Sequence, residues 1–144
     1  MTHESPRTDD DLAETGELAR LFVRIADRAR AEFTIATAHL DLPVQLTRTI
    51  LVLVEGMSMR EIAEQVGFDP SYVTALVDQL EERGLATRRA GKDRRVKLVT
   101  LTADGAALRE QIAASVSGKG LFARQLTPDE RQQLHTILER LNED

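Results

Sequence analysis

Between residues 83 and 97 the chain carries Arg83, Arg88, Arg89, Lys92, Arg94, Arg95 and Lys97 against one acid, Asp93, a local sum of +6. Cations at that density bind polyanions. Just upstream, Val73, Leu76, Val77 and Leu80 recur at helical spacing and take the buried stripe of a helix. Pro70, Ser71, Tyr72, Thr74, Ala75, Asp78 and Gln79 are left on its other faces. Ser71 and Thr74 can exchange hydrogen bonds with base edges or phosphates. Tyr72 can reach a phosphate or pack on a thymine methyl, and Gln79 can read adenine or touch backbone. Arg60 is a further candidate for a phosphate. This is the chemistry of duplex recognition, in which cations position and neutral polar groups read.

The 144-residue chain as a whole is acidic, with a net charge of −5. The excess is concentrated at residues 1–18, which sum to −5 and so balance on paper what is locally a basic site. No catalytic residues are expected: the chain has no G-x-S-x-G, no P-loop, no G-x-G-x-x-G and no H-E-x-x-H. No metal or cofactor is expected either, since His3, His39 and His135 lie far apart without metal-spaced partners. Cysteine is absent, which rules out disulfides and thiol chemistry in this chain and fits a cytoplasmic setting. The longest apolar run, Ile50 to Val54, is too short to cross a membrane, and the acidic first twenty residues argue against a signal peptide.

The elements that position these residues are legible from caps and breakers. Residues 1–8 read as a flexible tail. Asp9, Asp10 and Asp11 supply the cap and first turn of a helix that carries Leu18, Leu21, Phe22, Ile25, Ala29 and Phe33, and exceeds twenty residues. Pro43 opens an apolar helix ending at Gly56. Ser58 and Glu61 form a capping box for a helix that stops at Gly67. Asp69 caps the next helix, with Pro70 at its first position, and Gly84 ends it. Two short capped helices around a glycine turn read as a helix-turn-helix. Past Gly84 the period becomes alternating: residues 85–89 and 96–101 read as strands around a hairpin loop at 90–95. Thr102 caps a further helix, residues 118–120 break it, and Thr127-Pro128 starts the last one, with Leu134, Ile137, Leu138 and Leu141 on its apolar face. The fold class is therefore mainly α with a small β-wing.

The stretch Ser58–Thr102 resembles the MarR family of winged-helix transcription regulators. The carriers are Arg60-Glu61-Ile62-Ala63, then Leu80-Glu81-Glu82-Arg83-Gly84-Leu85, and finally Asp93-Arg94-Arg95 followed after three residues by Val99-Thr100-Leu101-Thr102. Pro70 departs from the Ser or Thr that many members carry there. The resemblance implies a single domain over 9–144, in which 9–42 and 103–144 are dimerisation helices and 43–102 is the DNA-binding lobe. It implies a cytoplasmic homodimer that regulates transcription, as a repressor, on a pseudo-palindromic operator. It makes Arg95 the residue inserted into the minor groove, with Asp93 holding its guanidinium and Arg94 and Lys92 on phosphates. It also implies a small aromatic or lipophilic effector, in a cleft lined from Phe33, Thr37, His39, Leu46, Arg48 and Ile50 and the helix after Thr102. The rival reading is a winged helix that binds another protein.

Overall fold

A computed structural model of the chain describes residues 8–143. The tail expected at 1–8 lies, apart from Thr8, outside the described residues. The chain divides into two compact units, Thr34–Lys119 and the pair Met1–Phe33 with Gly120–Asp144. The boundaries read from sequence, 42/43 and 102/103, fall inside the first of these.

Helix α1 covers Asp9–Thr37, 29 residues. Its cap is Thr8 rather than the acidic run. The Thr8 hydroxyl accepts from the Asp11 N–H at 3.2 Å, and the Asp11 carboxylate accepts from the Thr8 N–H at 3.3 Å. The three aspartates fill the first turn, where the helix dipole favours them. A single 3-10 turn, Ala38–Leu40, follows and closes on Asp41 in the left-handed region.

In the unit Thr34–Lys119, α2 (Val44–Val52) starts one residue later than expected, because Pro43 is its flanking residue. It also stops short of Val54, which is exposed rather than on the apolar face. Its buried hydroxyls are satisfied within the helix, Thr47 on the Pro43 carbonyl and Thr49 on the Gln45 carbonyl. Strand β1 (Met57–Ser58) leads directly into α3 (Met59–Val66). Ser58 caps α3 by accepting from the Glu61 N–H, but the return bond from the Glu61 side chain is not made, so the expected box is half formed. Gly67 turns the chain at φ 71°, a conformation that disfavours any Cβ. Helix α4 (Pro70–Glu82) then begins with Asp69 as cap and Pro70 in its first turn.

Strands β2 (Ala86–Ala90) and β3 (Lys97–Leu101) form the hairpin, in register from Ala86 opposite Leu101 to Ala90 opposite Lys97. Strand β1 pairs with the other edge of β3, giving the antiparallel order β1-β3-β2. At two residues, β1 is too short to show a period, so sequence patterning misses it. Helix α5 (Ala103–Val116) is capped by Thr102, which accepts from the Gly105 N–H and donates to the Gly84 carbonyl at 2.7 Å. Gly105 lies so close that an added Cβ would stand 2.0 Å from the Leu85 carbonyl oxygen. Arg109 ties α5 to α2 through the Leu51 carbonyl at 3.1 Å.

The second unit holds α1 up to Phe33, α6 (Leu121–Gln125) and α7 (Pro128–Asn142). Helix α6 occupies what the sequence suggests is only a break and a loop. Glu32 of α1 holds it, accepting from the Leu121 N–H at 2.9 Å and from Arg124 at 2.8 Å. Helix α7 carries a complete capping box between Thr127 and Glu130.

Candidate nucleic-acid interface

The core of Thr34–Lys119 decides what its surface can present. Leu46, Ile50, Leu53, Ile62, Val66, Val73, Leu76, Val77, Leu80, Ala86, Val99 and Ile112 are buried. Helix α4 contributes the expected stripe, so its opposite faces are fixed outward by packing. Pro70, Ser71, Tyr72, Thr74, Ala75 and Gln79 are all exposed there. In this structure two of the hydroxyls point into the helix start. Ser71 donates to the Asp69 carboxylate, and Thr74 donates to the Pro70 carbonyl at 3.1 Å. The Ser71 hydroxyl, and after it the Ser71 N–H, hold the Asp69 carboxyl below its usual range. Reading a base with either residue exchanges a local bond for one to DNA.

The start of α4 is braced from beneath. Tyr72 meets Phe68 edge-on, with ring centroids 5.3 Å apart and planes at 71°. The Arg48 guanidinium lies over the other aromatic of the pair, 4.7 Å from the Phe68 centroid, and donates to the Val66 carbonyl at 3.1 Å. Arg48 thus packs on the turn of the helix-turn-helix. Phe68 carries no sequence signal beyond sitting in the turn, so its role emerges only in three dimensions.

The hairpin tip is an ordered wing. The Gly91 N–H bonds the Val96 carbonyl at 3.0 Å, and the Val96 N–H bonds the Asp93 carbonyl at 3.0 Å. A Cβ on Gly91 would press on that same Val96 carbonyl at 3.2 Å. Asp93 accepts from the backbone N–H of Arg95 at 3.0 Å. It shapes the turn under Arg95, and in the free chain it forms no ion pair with the Arg95 guanidinium. Lys92, Arg94 and Arg95 are exposed, as are Arg83, Arg89 and Lys97. None of these six forms an ion pair with a described residue. Arg60, at the start of α3, is exposed and pairs with Glu64 at 3.3 Å.

Arg88 is the exception among the basic residues of 83–97. Only 21% exposed, it bonds Asp78 at 2.6 Å and Glu81 at 2.7 Å. The residues expected to line an effector cleft differ in burial. Leu46 and Ile50 have no exposed surface, Thr37 is buried, Phe33 is half-buried and His39 is exposed against the Ser115 hydroxyl at 3.4 Å. Among the described residues no cluster could hold a metal ion, and no helix is long and apolar enough to cross a membrane.

A helix-turn-helix with an outward-facing second helix, followed by a cationic hairpin, defines a winged-helix DNA-binding protein. The family model described as "MarR family" matches residues 50–96. The organic hydroperoxide resistance transcriptional regulator of Bacillus subtilis is 30% identical over 110 residues, which span 73% of this chain and 74% of that protein. CouR from Rhodococcus jostii RHA1, solved with p-coumaroyl-CoA, superposes with a TM-score of 0.77 at 30% identity, over 90% of this chain and 94% of that one. A mutant of E. coli MarR complexed with operator DNA shares the fold, with a TM-score of 0.71 at 23% identity over 89% of this chain and 95% of that one. The chain belongs to the MarR family. It is a DNA-binding transcriptional regulator, and the family is not one of enzymes.

Proposed function

We propose that the chain acts in the cytoplasm as a homodimeric repressor on a pseudo-palindromic operator. One observation carries this: an ordered wing, whose exposed cations form no ion pair with a described residue, sits in the same lobe as a helix whose small polar residues face outward. Pro70, Ser71, Tyr72, Thr74, Ala75 and Gln79 contact the major groove, Arg95 enters the minor groove, and Lys92, Arg94 and Arg60 meet phosphates. The terminal helices form the dimer, setting two half-sites about one helical turn apart. A small aromatic or lipophilic effector releases the DNA by favouring a dimer with the wrong spacing. The pairing of CouR with p-coumaroyl-CoA supports that class of ligand.

The test is selection of bound sequences from a random duplex pool, with the affinity of the winners followed against salt. An inverted repeat and a steep loss of affinity with salt are expected. Equal DNA affinity of wild type and the Arg94→Ala/Arg95→Ala variant would overturn the wing's role and favour the rival reading, a protein-binding winged helix.

A further inference from the structure

Helix α4 has a feature ill suited to DNA. Ser71, Ala75, Asp78 and Glu82 follow one another at i, i+4, i+7 and i+11, so the face that begins with small neutral residues ends in acids. Glu81 stands beside them. Carboxylates on a helix seated in the major groove repel the phosphates on either side, since the screening length in ordinary buffer is about 8–10 Å. Arg88 answers this from the neighbouring strand. One nitrogen of its guanidinium takes Asp78 at 2.6 Å, and the other takes Glu81 at 2.7 Å. The nitrogen that takes Asp78 also reaches the Thr74 carbonyl at 3.5 Å. The planar fork offers each carboxylate its own nitrogen in a fixed geometry, whereas a lysine ammonium is a single point charge on a flexible stem.

We propose that Arg88 is a positioning residue for DNA binding, which draws Asp78 and Glu81 toward β2 and neutralises them so that α4 can enter the groove. The proposal rests on the reading of α4 as the recognition helix. It assigns Arg88, alone among the cations of 83–97, to the protein rather than to the nucleic acid. It also couples the wing to the helix, because Arg88 lies on the strand that leads into the hairpin. The reason for an arginine at this position is therefore electrostatic.

The experiment measures affinity for a mixed-sequence duplex, and for the selected site where selection yields one, with thermal unfolding recorded in parallel. Arg88→Ala is expected to weaken binding about tenfold, more at low salt than at high. Arg88→Ala combined with Asp78→Asn and Glu81→Gln is expected to recover to within about threefold of wild type, because the repulsion is gone. Arg88→Lys should fall between. Asp78→Asn/Glu81→Gln with Arg88 intact should bind at least as tightly as wild type, a comparison that holds even if Arg88→Ala unfolds. Wild-type affinity in a folded Arg88→Ala, no recovery in the triple variant, or weaker binding by the carboxamide pair would each overturn the proposal. Failure of the underlying reading shows differently: wild type would then ignore duplex, or Arg94→Ala/Arg95→Ala would leave affinity unchanged.

Discussion

The two units use their apolar residues in opposite ways. Among the described residues, the buried apolar side chains all belong to Thr34–Lys119 except Leu121. The other unit leaves Leu12, Leu18, Leu21, Phe22, Val23, Ile25, Ile137, Leu138 and Leu141 exposed, Leu18 and Phe22 at 58% each and Leu141 at 69%. Phe22 of α1 and Leu138 and Leu141 of α7 line one open groove. The first unit is a finished core, whose specificity lies in what it turns outward. The second has the composition of a core but not its burial, which fits the proposed dimer. The contrast teaches that periodicity reports which residues are apolar on one face, not which molecule covers that face.

The largest effect expected is in the finished core. Ile50→Ala removes a fully buried side chain and should cost about 2–5 kcal/mol of unfolding free energy. Chemical denaturation measures this, and the loss should not depend on protein concentration if the lobe is self-sufficient. Next comes the open unit. Phe22→Asp with Leu138→Asp should dissociate the proposed dimer, each burial being worth about 1.5–3 kcal/mol. Sedimentation at several concentrations checks this. A wild type that sediments as a monomer throughout would break the comparison at its root.

Much of this contrast is legible in the sequence, because local chemistry governs it. The starts of α4, α5 and α7 follow from Asp69-Pro70, Thr102 and Thr127-Pro128, where cap and first turn agree. The stripe Val73, Leu76, Val77 and Leu80 is buried as its spacing requires. What stays hidden depends on residues distant in sequence. Strand β1 exists because Met57 and Ser58 meet Val99 and Leu98. Helix α6 exists because Glu32, some ninety residues away, holds its first turn. Asp93 and Arg95 invite an ion pair when written side by side, yet in the free chain one carboxylate oxygen accepts from the Arg95 N–H, a bond that the closing of the turn creates. Arg88 and Arg89 alternate across a strand, so the sequence marks one of them as structural without saying which. Only the side of β2 that faces α4 separates the paired one from the exposed one.

A smaller effect sharpens the functional side of the comparison. Arg95→Ala should weaken specific DNA binding by about 1–3 kcal/mol. It should leave unfolding and dimer dissociation unchanged, since Arg95 is exposed and its backbone bond to Asp93 survives the substitution. Fluorescence anisotropy of a labelled duplex, alongside thermal unfolding, measures both. A loss of stability equal to the loss of affinity would mean that the wing belongs to the core rather than to its outward face.

The smallest effects are two acid transitions, one in each unit, that differ in kind. In the open unit, the Arg124 guanidinium holds the Glu32 carboxyl below its usual range, with help from the Leu121 N–H and the charge of Arg28. In the lobe, Asp69 is lowered by the neutral Ser71 hydroxyl and N–H. Both pKa values are depressed on folding. Each group therefore contributes stability that is complete above its ordinary carboxylate pKa and is lost as pH falls through the depressed one. Salt separates the two: it screens the Glu32 contribution, which depends largely on neighbouring cations, and leaves the Asp69 hydrogen bonds nearly untouched. Amide hydrogen exchange at Leu121 and at Ser71, followed from neutral pH into the acid range at low and high salt, reads each site alone. Protection at Leu121 relative to Glu32→Gln should shrink with acid and with salt, whereas protection at Ser71 relative to Asp69→Asn should shrink with acid only. An equal response of both amides to salt would mean that the two units are not held by different kinds of bond at these ends.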